Sequence, residues 1–175
     1  MSRRTPTTRR KKIDKVRAID ASELVDVRDV TIPGGPVGQT WLRIFRPACS
    51  AKPLPVVLYI HGDDAVFGNP HTRRQVTKLA NDLTAALLVV DYSLSPNARF
   101  PIAIEENYAA AVWVAEHGNE YDLDGTRIAV TADSAGAEMA DELMVMADER
   151  GGPNLVARVR YAPNATAVLR AALAA

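Results

Sequence analysis

A chain of 175 residues, 47% hydrophobic and 24% charged, has the length and balance for one globular domain with a sizeable core. Its 21 basic and 21 acidic residues cancel, so no global field directs it towards nucleic acid or an acidic partner. Cys49 is the only cysteine, which excludes an internal disulfide and a thiolate metal cluster, and no run approaches the ~18 apolar residues of a membrane-spanning helix.

Residues 1–22 read as a basic, disordered tail, with eight basic residues and one acid, Asp14, in the first 17. The tail has no apolar core of the kind a secretory signal carries, which predicts a cytoplasmic protein. No aromatic stacking platform or recognition helix accompanies it, so nucleic acid is not an expected partner. Residues 23–175 read as the folded domain. From Leu24 to Ile32 valines alternate with polar residues, as in a half-buried strand. "PGGPVG" (33–38) is a turn, and "TWLRIF" (40–45) alternates again as an antiparallel partner. "LPVVLYIH" (54–61) is apolar on both faces, the mark of a central parallel strand.

Val76, Leu79 and Leu83 place a helix over 71–83, and "AALLVVDY" (85–92) is a second two-faced strand. "IAIEENYAAAVWVAEH" (102–117) is a helix, with Pro101 in its first turn and Gly118 at its end. "TRIAVTA" (126–132) is a third buried strand, "AGAEMADELMVMADER" (135–150) a helix stopped by "GGP", "LVARVRYA" (155–162) a fourth strand, and "ATAVLRAALAA" a closing helix. Met139, Leu143, Met144 and Met146 read as core by their spacing, and Trp41 and Trp113 as core or boundary residues. Strand–helix alternation after an antiparallel pair predicts an α/β fold, a mostly parallel sheet with helices on both faces. Ligands in such sheets sit at the carboxyl ends of the strands.

Two segments fall at those ends. In "TADSAGA" Ser134 stands between strand 126–132 and helix 135–150, with the small residues Ala132 and Gly136 two positions to either side. A nucleophile elbow needs that arrangement, because the turn is sharp and the backbones pass close. The helix start behind Ser134 would direct the N–H of Ala135 at a developing oxyanion. The plainer alternative is that Ser134 only caps the helix. In "IHGDDAVFG", His61 and Gly62 lead the chain out of its buried strand into Asp63 and Asp64. These carboxylates read as a catalytic device, as a metal site with His61 or His71, or as damage to an older device. Their spacing matches no established metal-ligand pattern, so no metal site is expected.

Four segments in order resemble the α/β-hydrolase superfamily, and within it the hormone-sensitive-lipase-like carboxylesterases and acetyl esterases. "VVLYIHGDDAVFGNPHT" is similar to the family's strand and His-Gly-Gly-Gly loop, "VVDYSLSPNARFPIAIEENYAAAVWVAEHG" to its Asp-Tyr-Arg-Leu-Ala-Pro segment, "RIAVTADSAGAEMA" to its Gly-Asp-Ser-Ala-Gly-Gly elbow, and "ADERGGPNLVARVRYAP" to its next loop and strand. The likeness runs over residues 24–163. It implies a cofactor-free hydrolase of small carboxylic esters, with Ser134 as nucleophile. It also implies an oxyanion hole built from the N–H groups of Asp63, Asp64 and Ala135, with His61 and Gly62 structuring the loop and Gly136 the elbow. Asp63 and Asp64 stand where the family has glycines, and their carboxylates would sit near an oxyanion.

The family's order is serine, acid, histidine. His61, His71 and His117 all precede Ser134, and the later acids, Glu138, Asp141, Glu142, Asp148 and Glu149, lie on the helix leading away. The expectation is an α/β-hydrolase domain shortened at its C-terminus and weak or inactive by itself. The alternative is a non-catalytic binding or scaffold protein. Arg158 and Arg160 on one face of strand 155–161 suit an edge strand, which invites pairing into a homodimer.

Overall fold

The chain opens as an antiparallel hairpin of β1 (Val25–Pro33) and β2 (Gln39–Pro47), with Val25 opposite Pro47 and Pro33 opposite Gln39. Its turn depends on glycine. Gly35 has φ +77°, and a Cβ there would stand 2.7 Å from Thr40 Oγ1. The structure, a computed structural model, describes residues 24–48, 50, 53–62, 69–93, 99–134, 136–162 and 164–174. The expected basic tail lies outside the described residues.

The buried runs become β3 (Leu54–Ile60), β4 (Ala86–Asp91) and β5 (Leu123–Ala132), and the fourth becomes β6 (Leu155–Arg160), whose residues alternate between half-buried and exposed. The six strands lie in the order β1-β2-β4-β3-β5-β6. β4, β3, β5 and β6 are parallel, and β2 meets β4 antiparallel. All of β3 but Pro55 is buried. A fully buried Val, Leu or Ile contributes about 1.5–3 kcal/mol, so these central strands carry much of the stability.

Helices α1 (Pro70–Leu83), α2 (Ile102–His117), α3 (Gly136–Glu149) and α4 (Ala165–Ala174) cover both faces. One core holds Leu58, Ile60, Val130, Trp113 and Leu143, under α2 and α3. The other holds Tyr59, Val57, Val76, Leu79, Leu169 and Leu173, under α1 and α4. Asn69 caps α1 by accepting the His71 N–H at 2.9 Å, and Pro70 fits its first turn. No helix among the described residues is long and apolar enough to cross a membrane.

Three expectations need correction. Gly118 caps α2 in right-handed geometry, φ −53°, and the chain runs on as a 3-10 turn, Gly118–Tyr121. The left-handed residue is Asp122, φ 58°. Glycine at 118 instead reflects space, since a Cβ would come within 3.3 Å of Leu123. Trp113 is buried, but Trp41 is 56% exposed, near the start of β2 opposite Thr31 and Asp91, although it shares its face of the strand with the buried Phe45. On α3, Leu143 is core and Met139 and Met144 pack against it, whereas Met146 is half-buried and belongs to neither cluster. Arg158 and Arg160 are exposed on β6, the last strand of the sheet, and Arg158 pairs with Asp141 of α3.

An ion pair ties α2 to the end of α3. Arg150 donates two hydrogen bonds to Glu105, at 2.6 and 2.8 Å, and lies over the Tyr108 ring. The hydrogen bonds from Arg150 hold the Glu105 carboxyl below its usual range, against the opposing effect of burial. A lowered folded pKa means that this contribution is in force above the ordinary glutamate value, about 4.3. It is lost as pH falls through the folded value. Glu105→Gln should therefore lower Tm at neutral pH, and the gap to the parent should close as melts are repeated down to about pH 2. A gap independent of pH would show that the charge contributes nothing.

Candidate active site

β3 and β5 end level with each other, Ile60 beside Ala132. From there the chain leaves β3 towards α1 on one face and leaves β5 towards α3 on the other. In α/β sheets the space between two such departures at the carboxyl ends of the strands is where ligands are held. Ser134 stands on one side of it, and His61 and Gly62 on the other.

Ser134 is exposed and has φ +42°. A non-glycine residue there carries strain on the order of 1–3 kcal/mol. A capping serine normally has extended backbone and accepts a helix N–H through its hydroxyl. Ser134 has neither property: among the described residues its hydroxyl makes no hydrogen bond, and the first turn of α3 closes through backbone bonds. Gly136 N–H donates to the Asp133 carbonyl at 2.8 Å, and Ala137 N–H to the Ser134 carbonyl at 3.2 Å. The turn thus presents Ser134 rather than using it.

Gly136 fixes how close α3 comes to β3. A Cβ at that position would sit 2.4 Å from the Ile60 carbonyl oxygen and 3.0 Å from the His61 carbonyl carbon. Ala132 is buried within the core and accommodated there. His61 is buried at the end of β3, its ring stacked on Tyr92 with centroids 4.6 Å apart. The Tyr92 hydroxyl donates to the His61 carbonyl. Asp63, Asp64 and Ala135 lie outside the described residues. Of the other histidines, exposed His71 opens α1 at the same end of the sheet as Ser134. His117 lies beside Glu120, just before β5 begins. That is the opposite end of a ten-residue strand, ~30 Å from Ser134 at ~3.3 Å per residue.

Sequence reasoning missed one cluster. Asp133, next to the serine, accepts the Gly62 N–H at 3.0 Å through one carboxylate oxygen and the Tyr59 hydroxyl at 2.5 Å through the other. Gln75 of α1 donates to that hydroxyl at 3.1 Å. Tyr59 sits in an apolar run and reads as core. The available signal was a charged residue at the end of a buried strand with no partner nearby in sequence.

Residues 57–174, from the middle of β3 to the end of α4, match the model of the alpha/beta hydrolase fold family. The chain belongs to that family. It is similar to Esterase LipI of Mycobacterium tuberculosis, 39% identical over 135 residues that cover 75% of this chain and 41% of that protein. It is also similar to Carboxylesterase NlhH of the same species, 35% identical over 129 residues, covering 73% and 40%. Among solved structures, a thermostable esterase from Pseudomonas putida superposes with TM-score 0.70 at 35% identity, over 81% of this chain and 44% of the other. The hyperthermophilic esterase of the archaeon Pyrobaculum calidifontis gives 0.68 at 38% identity, over 76% and 42%. The chain therefore spans less than half the length of these relatives, all of them esterases.

The close approach at Gly136 is directly testable. Gly136→Ala should destabilise the domain by about 1–3 kcal/mol or more, because backbone rather than a flexible side chain must move. Urea melts should show a lower midpoint at unchanged slope. An unaltered midpoint would mean that α3 does not rest on Ile60.

Proposed function

We propose that this chain carries the nucleophile half of a serine carboxylesterase site acting on small carboxylic esters. The observation that carries the reading is Ser134, exposed, strained and with a hydroxyl that makes no hydrogen bond among the described residues, on a turn held by Gly136 against β3. The esterase names of the relatives support the substrate class. In this reading Ser134 Oγ attacks the ester carbonyl and loses its proton to a base. The resulting oxyanion is met by backbone N–H groups of Ala135, Asp63 and Asp64. Collapse expels the alcohol and leaves an acyl-enzyme, which water cleaves to the acid and free Ser134.

The 175-residue chain is expected to do this weakly. No histidine follows Ser134 in it, and a serine without its base is a poor nucleophile. Binding and an oxyanion hole alone leave about 10³–10⁴-fold over water. The carboxylates of Asp63 and Asp64 would reduce that further by opposing the oxyanion. Asp63 and Asp64, standing where the family has glycines, favour a second reading, a non-catalytic member of the family that binds rather than cleaves. Hydrolysis of a short-chain p-nitrophenyl ester by the chain and by its Ser134→Ala variant separates the two. Activity that disappears with Ser134 supports the esterase reading. Equal, near-background rates support the binding protein.

We also propose that β6 pairs with a second copy along its outer edge. Antiparallel pairing about a two-fold axis would bring Arg158 and Arg160 of both copies together, and like charges side by side repel until salt screens them. The dimer should therefore strengthen between low and about 0.5 M salt in sedimentation velocity. A monomer at both ionic strengths removes this proposal.

A further inference from the structure

The bond between Gly62 and Asp133 lies where a parallel ladder ought to stop. β3 and β5 pair through Ile60 and Ala132, and the Asp133 N–H still reaches the Ile60 carbonyl at 3.3 Å. Beyond that point Ser134 turns into left-handed geometry, so its backbone no longer runs alongside β3. The next N–H of the departing β3 chain, that of Gly62, is met by the Asp133 side chain instead. One carboxylate oxygen thus stands in for a strand carbonyl. The other is held by Tyr59, and Tyr59 by Gln75 from α1. Each link is within ordinary hydrogen-bond reach, and a bond to an ionised acceptor is stronger than a neutral one.

We propose that Asp133 is a positioning residue: its carboxylate fastens the exit of β3 at Gly62 to the residue that precedes Ser134, and Tyr59 and Gln75 hold that carboxylate in the bridge. The inference rests on the reading of Ser134 as the nucleophile. The spacing between Ser134 and Gly62 is then held by this side chain in addition to the Asp133–Ile60 backbone bond and the close approach at Gly136. The bridge also joins the two faces of the sheet, because Gln75 belongs to α1 and Asp133 leads into α3. Asparagine could keep both links, since its oxygen accepts from Gly62 and its amide donates to the Tyr59 hydroxyl. Alanine loses both.

The test uses the full chain and three variants, Asp133→Ala, Asp133→Asn and Tyr59→Phe, with amide hydrogen exchange followed by NMR. In Asp133→Ala the Gly62 amide should exchange about tenfold faster or more, while the core amide of Val57 stays unchanged. Asp133→Asn should remain within about threefold of the parent, and Tyr59→Phe should fall between. If Asp133→Ala does not fold, the contrast between Tyr59→Phe and Asp133→Asn decides the matter alone. Gly62 exchange that is the same in every folded variant overturns the proposal, and so does an asparagine variant no better than alanine. Ester hydrolysis provides the second readout: Asp133→Ala should lower kcat with KM little changed, and Asp133→Asn should restore it. If the parent shows no Ser134-dependent hydrolysis, the nucleophile reading fails, and Gly62 exchange still decides whether Asp133 holds the two sides together.

Discussion

The Ile60 carbonyl oxygen leaves no room for a side chain at position 136, and the geometry around these strand ends follows from that contact. Because α3 starts directly against the end of β3, the residues between β5 and α3 must turn within very few positions. The turn forces Ser134 into left-handed backbone and out to solvent. It also brings Asp133 beside Gly62, so that the two strand ends are joined by a side chain once their backbones part. A methyl group at 136 would lift the helix away, and each of these relations would loosen with it.

The rest of the fold supplies a rigid floor for that contact. The central strands are buried on both faces, with one core under α2 and α3 and another under α1 and α4. β3 contributes to both, Leu58 and Ile60 on one side and Val57 and Tyr59 on the other. Its end therefore cannot shift towards either face without disturbing packing on the other. That immobility is what lets a backbone carbonyl act as the stop for a helix.

Much of this was legible in the sequence. Runs such as "VVLYI" and "ALLVV" have the composition of strands covered on both faces, and the spacing of Val76, Leu79 and Leu83 marks the inward side of α1. The serine turn was legible because a strand, a small residue, a serine and a glycine stand in the order a sharp turn requires. What was not legible depends on distance along the chain. Tyr59 and Asp133 are 74 residues apart, and nothing local distinguishes a tyrosine that packs from one that holds a carboxylate. Trp41 escaped for a related reason, since it shares its face of β2 with the buried Phe45, and which of the two is covered depends on helices far along the chain. Gly118 had the composition of a left-handed helix end, but the neighbouring Leu123 explains the missing side chain without it.

The unbonded hydroxyl of Ser134 has a consequence for how such a domain changes over generations. Among the described residues the serine hydroxyl makes no hydrogen bond, the residue is exposed, and its backbone is one that glycine would adopt more easily. Nothing in the described packing therefore demands serine at this place, and a lineage without the proposed chemistry could lose it without losing the protein. The scaffold and the reactive group are inherited on separate terms. If Ser134 is the proposed nucleophile, its presence on this turn is a trace left by use rather than by architecture.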